Sequence, residues 1–244
     1  MWFTLRLKIL LLIATGMPLP TFSQELVIDH VISINTNLNE AIDDFSKKGF
    51  SIKQGRLHEN GLINAHIKFH NYSSFELMSI EGEPKDAIAK EYDSLIKDGI
   101  KGAYLAFTGL TRNRIESELN TLGIRYYVTP GKLWTYISFP SKSEFAHIFF
   151  INYHIDQRFS VDEITHSNGF DKIKNLKIEG TQTLIKLLEN FDLKSEKDTQ
   201  GFVEFQTRTG SVTIMPLTHI ERPRIKEVIF GKQNANDTLK ISLN

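Results

Sequence analysis

His30 and Glu76 are the two residues of this sequence best placed to do chemistry, because each interrupts an alternating apolar pattern of the kind a half-buried strand carries. From Val27 to Asn35 the alternation puts Ile28, His30, Ile32 and Ile34 on one face and Asp29, Val31, Ser33 and Asn35 on the other. Glu76 shares a face with Met78 and Ile80 by the same two-residue period. A carboxylate among apolar neighbours is costly unless it meets a metal, a cation or hydrogen-bond donors, and a histidine serves both proton and metal. The pair therefore reads as a metal-ligating or acid–base couple, or as a mutual hydrogen bond that satisfies the core and does nothing further.

Other residues could join such a site. His58 precedes a Glu59-Asn60-Gly61 turn, and Arg56 stands two residues before it. Asn64, His66 and Lys68 share one strand face, which reads as solvated, with cavity lining as the alternative. Arg56, Tyr104, Trp134 and Tyr136 offer a cation and aromatic walls to a pocket for a small organic molecule, although strand aromatics usually serve a core. With no cysteine, a metal would have to be held by His, Asp, Glu or Gln. The sequence carries no nucleophile elbow, phosphate loop, dinucleotide fingerprint or HExxH helix.

The elements that would position these residues recur. After the first strand, Asn37 with Glu40 makes a capping box, Leu38, Ala41, Ile42 and Phe45 follow at helical spacing, and Gly49 closes the helix. Three strand-like runs come next, Phe50 to His58, Ile63 to His70 and Ser74 to Ile80, giving a βαβββ unit. A connecting helix with Ala87, Ile88, Tyr92 and Leu95 leads to a second unit. That unit has a strand from Gly102 to Thr108, a helix capped by Thr111 and closed by Gly123, and strands at Ile124 to Val128, Leu133 to Phe139 and Ala146 to His154. From residue 161 to 244 the pattern allows a third, divergent unit: a strand from Ile173 to Ile178, a helix capped by Thr181 and a hairpin around Thr209-Gly210. A polar tail follows from Gly231.

Six short motifs fall on this layout. They are Asp29-His30-Val31, Gly55-Arg56-Leu57-His58, Gly61-Leu62-Ile63-Asn64, Phe75-Glu76-Leu77, Phe149-Phe150-Ile151 and His166-Ser167-Asn168-Gly169. In this order they resemble the glyoxalase-like branch of the vicinal oxygen chelate superfamily, over about residues 26 to 170. The resemblance implies an α+β fold in which paired βαβββ units, here residues 24–160, curve into a half-open barrel whose concave side holds a divalent metal (Zn, Fe, Mn or Ni) or an organic ligand. It implies His30, Glu76 and His166 as metal ligands, Glu76 and His58 as proton-transferring groups, and Arg56, Asn64, Tyr104 and Trp134 as substrate contacts. The activity so implied is a lyase, isomerase or dioxygenase acting on a small substrate with adjacent oxygens. Family members often pair as homodimers. One departure stands out: where the second unit should repeat the ligand pair, Ala103, Tyr104 and Leu105 occupy its first strand and Phe150, Ile151 and Asn152 its last. The matching places of a third unit hold Lys174 and Thr213. A non-catalytic binding protein with a degenerate metal site is the alternative.

The opening residues read as an export signal: basic Arg6 and Lys8, an apolar run from Ile9 to Met17, breakers at Pro18 and Pro20, and a cleavage site after Ser23. That run is too short for a membrane span, which needs about 20 apolar residues. The expectation is a soluble periplasmic or secreted protein. Of the 29 basic residues, 27 remain after cleavage against 29 acidic ones, leaving no positive excess for nucleic acid or anionic lipid.

Overall fold

The computed structural model describes residues 25–217, 224–233 and 235–243; the expected leader, residues 1–23, lies outside them. The first unit runs β1 (Val27–Ile34), α1 (Leu38–Lys47), β2 (Lys53–Leu57), β3 (Leu62–Lys68) and β4 (Ser74–Ile80). Helix α2 (Ala87–Lys97) crosses to the second unit: β5 (Gly102–Thr108), α3 (Arg112–Thr121), β6 (Tyr127–Pro130), β7 (Trp134–Ser138) and β8 (Ile148–Tyr153). Strong local signals start the helices. Asn37 Oδ1 accepts from the backbone of Asn39 and Glu40 while its Nδ2 donates to Glu40, and the hydroxyl of Thr111 caps α3.

In each unit the first strand lies parallel to the last, β1 beside β4 and β5 beside β8. The two first strands then pair antiparallel, so the sheet order is β2-β3-β4-β1-β5-β8-β7-β6. This eight-stranded sheet is not closed, since β2 and β6 end it unpaired, in keeping with the half-open form expected from the sequence motifs.

The chain continues through the short helix α4 (Val161–Ile164) into β9 (Lys172–Gly180), α5 (Gln182–Asn190), β10 (Ser195–Lys197), β11 (Val203–Gln206) and β12 (Ser211–Pro216). This is a complete third βαβββ unit, including a strand, β10, that its polar composition concealed. A hairpin, β13 (Ile225–Lys232) and β14 (Ala235–Ser242), completes a second sheet in the order β10-β11-β12-β9-β13-β14. Strand β13 pairs antiparallel with β9 as β5 does with β1, so the hairpin stands where a fourth unit would begin. The described polar residues after Gly231, through Ser242, belong to this hairpin.

The convex face of the first sheet and the apolar face of the second share one core with α1, α3 and α5. Phe230 of β13 is its pivot: fully buried, it lies 5.2 to 5.5 Å, ring to ring, from Phe50, Phe69 and Phe75. A smaller apolar cluster lies on the concave side, where Tyr92 and Leu95 of α2 cover Ile34, Met78 and Ala103. Helix α2 thus fills one end of the concavity and leaves the other open. Replacing Phe230 by Ala should cost about 3–5 kcal/mol, because the cavity would open at the junction of both sheets. Chemical denaturation would show this as a lower midpoint with loss of both sheets in a single transition.

Candidate active site

The open half of the concavity is a cleft of roughly 1100 Å³. Its polar floor begins with an irregularity in β1. Across the joint with β5, Ile28 faces Phe107 and His30 faces Ala106, so Asp29 is an extra residue on the β1 side. Such a bulge reverses the alternation. Residues before it, Leu26 and Ile28, point into the shared core, as does Val31 after it, whereas Ile32 and Ile34 lie on the concave side. His30 therefore shares its face with Ile32 and Ile34 but not with Ile28, and Asp29 turns into the cleft beside it. This corrects the expected assignment of Asp29 to the opposite face.

The consequence is an aspartate clamped to a histidine. Asp29 Oδ2 lies 2.5 Å from His30 Nδ1 and also accepts a bond from the Tyr153 hydroxyl at 3.0 Å. With Nδ1 engaged, Nε2 faces Glu76, whose Oε2 is 3.7 Å away. The other oxygen of Glu76, Oε1, accepts from Asn64 Nδ2 at 2.6 Å and lies 4.0 Å from His66 Nε2. Register explains this convergence: Lys53, His66, Glu76, Ile32 and Tyr104 occupy one row across five strands, and Lys68, Ser74, His30 and Ala106 the next. A bulge in β2 supports Asn64, whose Oδ1 accepts from the Arg56 backbone N–H at 3.1 Å. Gly55 is required there, since a Cβ would fall on the Asn64 side chain.

Burial and charge set the two histidines apart. Burial works against protonation of His30, but the hydrogen bond and charge of Asp29, with the charge of Glu76, outweigh it and raise the pKa above the ordinary 6.5. For His66 burial dominates, and its pKa is lowered despite Glu76.

The second unit supplies the other wall. Tyr104, Tyr136 and Phe149 meet edge to face or stacked around His30 and Tyr92, with the Tyr104 and Tyr92 rings 5.2 Å apart and the His30 and Phe149 rings 5.5 Å apart. Burial and the charge of Glu76 push the Tyr136 hydroxyl up to about 12, and burial, reinforced by Asp29, raises Tyr153 further, so both remain donors. Trp134 packs against Tyr136 and Tyr153 at the mouth. Residues Ile155 to Phe159, the strap between β8 and α4, also line the cleft.

Of the residues read from the sequence, His30, Glu76, Asn64, Tyr104 and Trp134 come together here. Arg56 and His58 sit at the far lip, near the β2–β3 turn. His166 lies elsewhere. It sits between Phe50 and Phe69, Nδ1 accepting from Ser51 N–H at 3.0 Å and Nε2 bonded to the Lys68 carbonyl at 2.9 Å. Both ring nitrogens are taken by backbone partners in the first unit, so it is a structural histidine, not a ligand directed at the cleft; burial lowers its pKa. His66, read as solvated, instead lines the cleft.

A divalent ion bonded at about 2.0–2.2 Å draws its ligands to roughly 3–3.5 Å of one another. His30 Nε2 and Glu76 Oε2 approach that spacing, but Asn64 already holds the other oxygen of Glu76. The concave positions of β5 and β8 carry Tyr104, Ala106, Phe149 and Ile151, which offer no ordinary divalent ligand. Among the described residues no group of three His, Asp or Glu side chains is arranged to hold a metal. The donor set therefore does not fit a resident divalent ion.

The chain matches the glyoxalase-like domain family over residues 28–188, well over half its length, and belongs to that family. No curated protein matches it. Among solved structures, a hypothetical protein from Staphylococcus aureus superposes with a TM-score of 0.62 at 14% identity, covering 86% of this chain and 92% of that one. Homoprotocatechuate 2,3-dioxygenase from Arthrobacter globiformis gives 0.52 at 12% identity, covering 85% and 64%. Methylmalonyl-CoA epimerase from Mycobacterium tuberculosis gives 0.42 at 17% identity, covering 57% and 95%. At these identities the likeness is one of fold.

The raised pKa of His30 means that its protonated form adds stability at pH values below 6.5, a contribution lost as pH rises through the higher folded value. In a histidine NMR titration, His30 should deprotonate at higher pH than His66. Asp29→Asn should bring the His30 midpoint down towards that of His66, and an unchanged midpoint would refute the clamp.

Proposed function

We propose that this protein is an enzyme that moves a proton on a small substrate with adjacent oxygens, an isomerase- or lyase-type activity using His30 and Glu76 as acid and base. The observation that carries this reading is the Asp29-His30 clamp aimed at Glu76 inside an aromatic cleft. Asp29 holds His30 Nδ1–H, and its charge with that of Glu76 favours the imidazolium, so His30 Nε2–H is the donor presented to a substrate carbonyl oxygen. The Glu76 carboxylate then takes the proton from the carbon next to that carbonyl, and His30 donates to the oxygen as it gains charge. Returning the proton from Glu76 to the former carbonyl carbon, while His30 takes the proton of the neighbouring hydroxyl oxygen, completes an isomerisation without any further reactant. Asn64 orients Glu76, and the aromatic wall excludes water from the reacting carbon. The leader-like pattern of residues 1–23 supports an exported compartment for this activity.

A second reading, a binding protein that keeps the cleft without turnover, is favoured by one observation: the second unit lines its half with aromatic and apolar side chains. Proton exchange separates the two. Incubated in deuterated water with a panel of α-hydroxycarbonyl compounds, the wild-type protein should wash out the carbon-bound proton, followed by NMR. Glu76→Gln and His30→Ala should each slow the exchange by about 10²–10⁴-fold. Binding of the panel members without exchange would favour the second reading. Near-stoichiometric divalent metal in protein purified without chelator, lost in both variants, would overturn the metal-free chemistry.

A further inference from the structure

Apart from the acid–base group, the strongest concentration of charge in the cleft is a lysine pair that the proton chemistry does not use. Lys53 of β2 and Lys68 of β3 lie on the concave face, Lys53 opposite His66 and Lys68 opposite Ser74. Neither cation is balanced from within the sheet. Instead one carboxylate, Glu163 of α4, bridges them, Oε1 at 2.8 Å from Lys53 Nζ and Oε2 at 3.0 Å from Lys68 Nζ. Lys68 is only 13% exposed and lies over the Phe159 ring at 4.1 Å, so its charge is held in place under the strap. Burial acts to lower its pKa, and the Lys53 hydrogen bond holds Glu163 ionised, consistent with a tight charged seat. Arg158 and Asp156 of the strap line the same cleft, and Glu163 is the carboxylate paired with both lysines. One row of the sheet links it to the reacting groups: Lys68 and His30 both register with Ser74, two strand spacings apart, or about 10 Å.

We infer that Lys53 and Lys68 form a subsite for an oxyanion, a carboxylate or phosphate at one end of the substrate, and that Glu163 occupies this seat until the ligand displaces it. A fork of two ammonium groups around two carboxylate oxygens is the geometry such an anion would take up. With the backbones of β3 and β1 about 10 Å apart, one molecule can set its anionic end at the lysines and its oxygen-bearing carbons between His30 and Glu76. Exchange would remove the Glu163 bridge from α4 to β2 and β3, while His166 keeps its bonds to Ser51 N–H and the Lys68 carbonyl. The inference deepens the proposed function by giving its substrate an anionic end.

Isothermal titration of the purified chain with inorganic phosphate and, separately, with benzoate tests it. The wild type should bind at least one, and which one it binds identifies the anion. Lys68→Ala and Lys53→Ala should each weaken that binding by about tenfold or more, whereas Glu163→Gln, by removing the competing carboxylate, should tighten it by about tenfold. Circular dichroism melts confirm that each variant is folded. Binding by neither the wild type nor Glu163→Gln, unchanged affinity in the lysine variants, or no gain in Glu163→Gln would overturn the subsite. Because titration reads occupancy and deuterium exchange reads proton transfer, a protein that binds the anion but exchanges nothing would sink the enzyme reading and leave the subsite standing.

Discussion

An extra residue in one strand governs the site. Without the bulge at Asp29, His30 would still face the cleft, but Asp29 would point the other way, into a core of phenylalanines and leucines. A buried carboxylate there would be costly, and His30 would lose the partner that fixes its tautomer and raises its pKa. The irregularity lies at the joint between the two units, where first strand meets first strand, so the antiparallel pairing that builds the half-open sheet also positions the chemistry. A second bulge, at Gly55 and Arg56, does the same for Asn64 and through it for Glu76.

The two halves of the cleft have diverged in character. The first unit carries the polar groups, Asp29, His30, Asn64, His66, Lys68 and Glu76, while the second contributes Tyr104, Tyr136, Phe149 and Trp134. A symmetric pair of units would bring matching ligands to an ion on the axis between them; this pair brings an acid–base group against an aromatic wall. The third unit and the hairpin β13–β14 form the support behind, filling the convex side so that the concave side can stay open. Function is thus set by side chains grafted on a shared scaffold, and the scaffold alone does not fix it.

Much of this was legible in the residues. The capping box at Asn37, the cap at Thr111 and the alternation in Ser74 to Ile80 located the elements of both units, and the motif order identified the fold. His30 and Glu76 stood out as polar interruptions of apolar faces. Asp29 did not, because a bulge leaves no trace in periodicity; only the proximity of two acid–base residues at one strand start hinted at it. His66 looked solvated because it shares its strand face with the polar Asn64 and Lys68, so the alternation could not say whether that face was concave. His166 entered the site only through the match of His166-Ser167-Asn168-Gly169 to a family motif, whereas its real partners, Ser51 N–H and the Lys68 carbonyl, are more than ninety residues away in sequence and invisible to any local pattern. Strand β10 hid because all three of its residues are exposed.

The closure of the core has a kinetic side. Ile28 N–H donates to Thr209 Oγ1 across 181 residues of sequence, and Gly102 N–H reaches the carbonyl of Leu243 near the chain's end. Phe230, the pivot of the shared core, arrives equally late. Contacts this distant make folding slow, because the loops that join them must close before they are rewarded. A nascent chain emerging from its amino terminus could shape its first sheet early yet could not seal the convex side until nearly the whole sequence was available. Until then the apolar faces that meet in that core, Phe50, Phe69 and Phe75 among them, stay open to solvent and to any neighbour that binds apolar surface.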